Sequence, residues 1–213
     1  MRHTERTATP CRPGTDVSGG SLFRIGLWAM VALLAGAAAA LFFAYGGGEP
    51  GSAEAPYGTP FQLVDQDGKA ITEQALRGTA SAVFFGFTHC PDVCPTTLFE
   101  LAGHREALRT DGRDLKIVLV IVDPERDTPE VLKGYVEAVS PDITAITGEP
   151  SEVAAMLKGW GVYSQKVEEG EGYTMDHTAT VFLLDPEGRF AGTIAYGENP
   201  DTVREKLENL TDI

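Results

Sequence analysis

Two of the three cysteines in this 213-residue chain stand four positions apart, Cys90 and Cys94 in GFTHCPDVCPTT, 86–97. Sulfurs at that spacing support three chemistries: a static disulfide, an exchanging dithiol, or two ligands on one metal ion. Pro91 and Pro95 stiffen the loop between and after them, which lowers the entropy cost of converging both sulfurs on one point. Pro95 suits the first turn of a helix, so Cys94 is expected at a helix N-terminus. The dipole and free N–H groups there favour a thiolate, which metal binding and disulfide exchange both require. A redox dithiol normally has two residues between its cysteines. Three make a looser ring, compatible with a disulfide or with two ligands. A static disulfide around so short a loop removes little chain entropy.

A metal would need further ligands, and the chain has four histidines. His89 directly precedes Cys90 and reads as a loop residue. His104 falls in mid-helix, where a packed or solvated role is expected. His3 precedes a long apolar run. His177, in GYTMDHTATVFLL, lies after an acidic loop and just before a strand, at an edge facing loops.

The elements that must position these groups alternate. Residues 60–64 and Lys69–Ile71 read as a hairpin around the turn DQDG, and Thr72 as the cap of a short helix. The nearly continuous apolar runs ASAVFFGF, 80–87, and LKIVLVIV, 115–122, read as strands buried on both faces. A helix is expected from Pro95 to Thr110, another after Thr128, and a short strand at 143–146. A helix at 151–159 and a strand at 162–167 follow, then EEGEG as a solvated acidic loop. Strand 178–184 turns through DPEG into a hairpin partner, and Pro200 opens a last helix. This order predicts an α/β fold with a mixed central sheet flanked by helices. The cysteine pair at the C-terminal end of the first buried strand matches the thioredoxin-like arrangement.

The N-terminal part is different. IGLWAMVALLAGAAAALFFAY, 25–45, carries no charge and has the length of a transmembrane helix. Arg2, Arg6, Arg12 and Arg24 precede it against only Glu5 and Asp16, which predicts a cytoplasmic N-terminus. The competing possibility is a cleaved signal peptide, with a small-residue site at 37–40; the length and the closing aromatics favour an anchor. The expected organisation is a cytoplasmic tail at 1–24, an anchor at 25–45, a Gly/Pro-rich linker at 46–56 and a folded domain at 57–213. That domain would face the periplasm from the inner membrane. The chain is formally −14; beyond residue 45 it holds 13 bases against 29 acids. Such acidity argues against nucleic acid as a partner.

Three stretches together, FFGFTHCPDVCPTTL, VDPERDTPEVLKGY and YTMDHTATVFLLDPEGRF, resemble the Sco/SenC family of copper-binding proteins. They occur in the family's order, and the resemblance covers roughly 57–210. It implies a thioredoxin-like domain binding one copper through two cysteines and a distant histidine, here Cys90, Cys94 and His177. It further implies a role in assembling the binuclear copper centre of cytochrome c oxidase, with subunit II or another copper chaperone as partner. Two thiolates and an imidazole suit Cu(I) and can hold Cu(II); zinc would normally take a fourth ligand. Asp92, Met175 and Asp176 read as loop or supporting residues; a carboxylate such as Asp176 can orient an imidazole, though neighbours in sequence point apart as often as together. Asp123, Arg126 and Asp127 read as groups that fix their loop. Besides a metallochaperone, a thiol-disulfide oxidoreductase acting on the oxidase cysteines and a copper or redox sensor stay open. A metallochaperone or a sensor is no enzyme, whereas the oxidoreductase would be one.

Overall fold

The computed structural model describes residues 19–45 and 57–212. The expectations for residues 1–18, with His3 and Cys11, and for the linker at 46–56 lie outside the described residues. Two compact units divide the chain, Met1–Ser52 and Ala53–Ile213.

In the first unit, helix α1 runs Gly19–Tyr45. Its side chains are described over 24–38, where Ile25, Leu27, Trp28, Met30, Val31, Leu33 and Leu34 are all exposed. At 100° per residue these project from every side of the helix. Among the described residues no helix is long and apolar enough to cross a membrane.

The second unit is built on a seven-stranded sheet. Its strands are β1 (Gln62–Asp65), β2 (Ala70–Thr72), β3 (Ser81–Gly86), β4 (Lys116–Ile121), β5 (Ile143–Thr147), β8 (Val181–Leu184) and β9 (Phe190–Ile194), while β6 (Ser164–Glu169) and β7 (Gly172–His177) form a separate ribbon. The sheet order is β2-β1-β5-β4-β3-β8-β9. β3, β4 and β5 are parallel to their neighbours among themselves, whereas β1 against β5, β8 against β3 and both hairpins are antiparallel. The mixed sheet is the one expected. Every residue of β3 is buried, as is all of β4 beyond Lys116. Because successive side chains point to opposite faces, layers must cover both faces. The covering helices are α2 (Val93–Thr110), α3 (Pro129–Val139), α4 (Pro150–Gly159) and α5 (Pro200–Thr211). Each lays an apolar stripe inward: Leu98, Leu101 and Leu108 from α2, Leu132 and Val136 from α3, Met156 from α4, Leu207 from α5.

Local chemistry explains the ends. In the first hairpin Asp65 Oδ1 accepts from the N–H groups of Asp67 and Lys69, both at 2.9 Å, and Gly68 takes φ 74°. The second hairpin repeats the device with Asp185 and Gly188. Thr128 caps α3 at Val131 N, with Pro129 in the first turn. Thr72 precedes a single 3-10 turn, Glu73–Leu76, without a side-chain cap bond. The chief departure is at EEGEG: only Gly170 and Glu171 turn there, and the two acidic residues before them are paired, Glu168 with Tyr173 and Glu169 with Gly172.

Candidate metal centre

The cysteine segment leaves β3 at its C-terminal end and turns directly into α2. Asp92 precedes the helix, so Cys94 is its second residue and Pro95 its third. Gly86 leaves room where the strand ends: a Cβ there would lie 3.0 Å from Cys94 Sγ and 3.1 Å from the Phe84 ring. The loop is held from below by Asp127, a buried carboxylate that accepts from Thr88 N at 2.9 Å and Thr88 Oγ1 at 2.5 Å. Cys94 is buried and Cys90 half-buried; neither is in a disulfide. The backbone N–H of Cys94 donates to Cys90 Sγ at 3.3 Å.

That last contact reverses the expected thiolate. The free N–H of the helix start serves Cys90, one turn earlier, and the Cys94 thiol also donates to it. Hydrogen bonding from Cys94 is the largest influence and outweighs the opposing effect of burial, so Cys90 falls to about 4. Cys94 is pushed up, first by its bond to the Cys90 thiolate and then by burial. One proton is thus shared, and it stays on the buried sulfur.

His177 ends β7, which pairs with β6 from Gly172↔Glu169 to His177↔Ser164. Its Nε2 lies 3.8 Å from Cys94 Sγ although 83 residues separate the two. Its Nδ1 is 3.0 Å from the carbonyl of Thr178. A carbonyl only accepts, so Nδ1 carries the proton and the Nε2 lone pair faces the sulfurs. The rings of Phe87 and Phe84 stand edge-on to the imidazole at 5.6 and 6.4 Å.

Among the described residues no three His, Cys, Asp or Glu side chains form a ready-made metal cage. The two sulfurs instead hydrogen-bond to one another, and the imidazole stands in contact with Cys94. One edge of the trio nevertheless has the length that a shared soft ion would need. Bonds of about 2.3 Å to sulfur and about 2.0 Å to nitrogen, opened to about 120°, subtend an S···N edge of about 3.7 Å. The 3.8 Å edge from Cys94 to His177 is close to that.

The other residues singled out from the sequence fall as follows. His89 is exposed, 3.1 Å from Thr88 Oγ1 and 3.8 Å from Asp127, as a loop residue would be. Asp92 accepts from Thr96 Oγ1. Asp176 is exposed, and the imidazole is oriented by the Thr178 carbonyl rather than by that carboxylate. Met175 packs on the core. His104 sits ten residues beyond Cys94 along α2, half-buried, with its basicity lowered by burial.

Two features escaped the sequence. Tyr135 of α3 has a buried hydroxyl without a partner. Burial raises its pKa, and the two sulfurs and Asp127 add to the effect, so the ring lies beside the site. No local pattern marks it, since i, i+3 spacing predicts only an inward face. The second is a cluster around Tyr173. Its ring lies under the Arg126 guanidinium, 3.7 Å away, and 4.2 Å from Lys166 Nζ. Its hydroxyl donates to Asp123 Oδ1 at 3.1 Å.

A family model described as SCO1/SenC matches residues 49–212. The protein SCO1 homolog 1, mitochondrial, of Arabidopsis thaliana is 38% identical over 165 residues, 76% of this chain and 47% of that one. The chain therefore spans about half the length of that relative. Protein SenC of Rhodobacter capsulatus is 32% identical, covering 76% of this chain and 74% of its own. Among solved structures, ScoI of Bradyrhizobium japonicum with copper bound superimposes with a TM-score of 0.66 at 41% identity, over 72% of this chain and 99% of that one.

Proposed function

Because the chain belongs to the SCO1/SenC family, we propose that it is a membrane-anchored copper carrier that serves the assembly of cytochrome c oxidase. Copper is its cargo, held by Cys90, Cys94 and His177. The observation that carries this reading is the His177 imidazole with its Nε2 lone pair turned to Cys94 Sγ at 3.8 Å and its Nδ1 committed to Thr178. A plain dithiol has no need of an imidazole so placed. A copper-bound relative at 41% identity over 99% of its length supports the cargo. The oxidase, with its subunit II or another copper chaperone as partner, follows from the family resemblance. The anchor at 25–45 and the periplasmic placement of the folded unit belong to the same proposal. They are supported by apolar side chains exposed on every side of α1 and by the arginines that precede it.

The chain's own groups prepare the site in a definite way. Cys90 is ionised and half-exposed, so it offers a ligand electron pair without first losing a proton. Cys94 must give up its proton on binding, and bulk water beyond Cys90 is the route out. Phe84 and Phe87 set their rings edge-on against the imidazole.

The same layout favours a second reading, a thiol-disulfide oxidoreductase. A half-exposed thiolate, Cys90, backed by a buried thiol, Cys94, is an attacking and resolving pair. Substitution of His177 separates the two. His177→Ala leaves two sulfurs for Cu(I) but removes the nitrogen that Cu(II) favours. The variant should lose the Cu(II)–thiolate charge-transfer band, keep part of its Cu(I), and fail in oxidase copper-centre assembly. Normal oxidase assembly with His177→Ala, alongside failure with Cys90→Ala, would replace the carrier by the oxidoreductase.

A further inference from the structure

His177 is separated from the cysteine segment by most of the fold, yet its ribbon is not part of the main sheet. β8, which starts four residues after His177, pairs with β3 and holds the far side of the imidazole. On the ribbon side the contacts converge on one side chain. Arg126, in the loop after β4, pairs with Asp123 Oδ2 and donates from Nη1 to the Tyr173 carbonyl at 3.0 Å. Its guanidinium also lies 3.7 Å from the centre of the Tyr173 ring. Tyr173 donates in turn to Asp123, which is buried. The next residue in the loop, Asp127, holds Thr88, two residues before Cys90. The loop 123–127 is thus fastened to the ribbon through Arg126 and to the cysteine segment through Asp127. An added pair, Lys166 to Glu125 at 2.7 Å, ties β6 to the same loop but is exposed, where such pairs contribute little.

The geometry points to Arg126 as the positioning residue for the third ligand: it clamps the β6–β7 ribbon and so fixes His177 against Cys94. The inference rests on the Cys90–Cys94–His177 reading for its copper consequence, but not for its mechanical one. Arg126 touches neither the sulfurs nor the imidazole; it acts four residues away, through Tyr173. Lysine keeps the charge but not the planar fork that serves a carboxylate, a carbonyl and a ring at once.

The test uses the full-length reduced chain in detergent, as Arg126→Gln, Arg126→Lys and Tyr173→Leu. Arg126→Gln leaves the buried Asp123 without its cation, so Tyr173→Leu, which keeps that ion pair and removes the ring, stands beside it should the first not fold. Without metal, the amides of 172–177 should exchange with solvent about tenfold faster in the Gln and Leu variants, with Lys between, while β3 amides keep their rates. With Cu(II), the thiolate charge-transfer band should weaken in the same order, with Cu(I) stoichiometry unchanged. Ribbon exchange at the wild-type rate in the folded variants overturns the clamp. Faster exchange with an unaltered Cu(II) band, in a protein where His177→Ala abolishes that band, overturns the positioning role. A band that survives His177→Ala overturns the ligand reading instead, and the exchange rates still decide whether Arg126 holds the ribbon.

Discussion

At Cys90 and Cys94 one proton is divided unequally between two sulfurs, and the division can be read by reactivity. Only a thiolate alkylates quickly. Since Cys90 is lowered to about 4, its thiolate fraction is complete at neutral pH and is lost only as pH falls through that value. The reduced, metal-free protein should therefore be alkylated by iodoacetamide at Cys90 with a rate flat from pH 8 to about 5 and falling below, whereas an ordinary thiol loses rate below about pH 8.5. Mass spectrometry should find Cys94 unmodified until the chain unfolds. A rate that declines from pH 8 downward would show that the proton is not shared in this way. Gly86 sets the other limit on the pair. In Gly86→Ala the new Cβ would meet Cys94 Sγ at 3.0 Å and Leu119 at 3.3 Å, so the sulfur must shift. We expect a stability loss of about 1–3 kcal/mol by urea unfolding, as for overpacked cores, together with a weakened Cu(II) band. Unchanged values in both would mean that the pocket yields without moving the sulfur.

Among the elements, the strands with local signatures were legible, β6 included as a strand at 162–167, and its partner β7 was not. The apolar runs 80–87 and 115–122 could be little else than buried strands, and Thr128-Pro129 declared the start of α3. EEGEG reads as a loop because acidic residues and glycine lack strand propensity. β7 exists through pairing with β6 and through Tyr173 meeting Arg126, 47 residues away, which no window of sequence can contain. The site was legible for a different reason: Cys90, Cys94 and His177 each carry their chemistry in their side chains. Which sulfur ionises was misread, because the helix start was considered without the competition from Cys90. Asp127, taken from its motif as a loop-fixing group, spans two elements. Asp127→Ala removes the acceptor of Thr88 N and leaves that partly buried donor unsatisfied, at a cost of about 1–3 kcal/mol. A lower urea midpoint with unchanged slope is the expected reading; an unchanged midpoint would mean that water replaces the carboxylate.

For the molecule as a whole, the expected topology places Cys11 and Cys90 on opposite sides of a membrane. In reduced intact cells an impermeant thiol reagent should reach Cys90 and spare Cys11; labelling of Cys11 alone would invert the orientation. The 83 residues between Cys94 and His177 also have a consequence in time. A chain is made from its N-terminus, at roughly 5–20 residues per second. The two sulfurs thus precede the imidazole by an interval on the order of ten seconds, and β8, which seats on β3, arrives later still. Through that interval the newborn segment is a bare pair of thiols, open to any passing oxidant. Its safe maturation is a race between completing the C-terminal third and closing a premature disulfide.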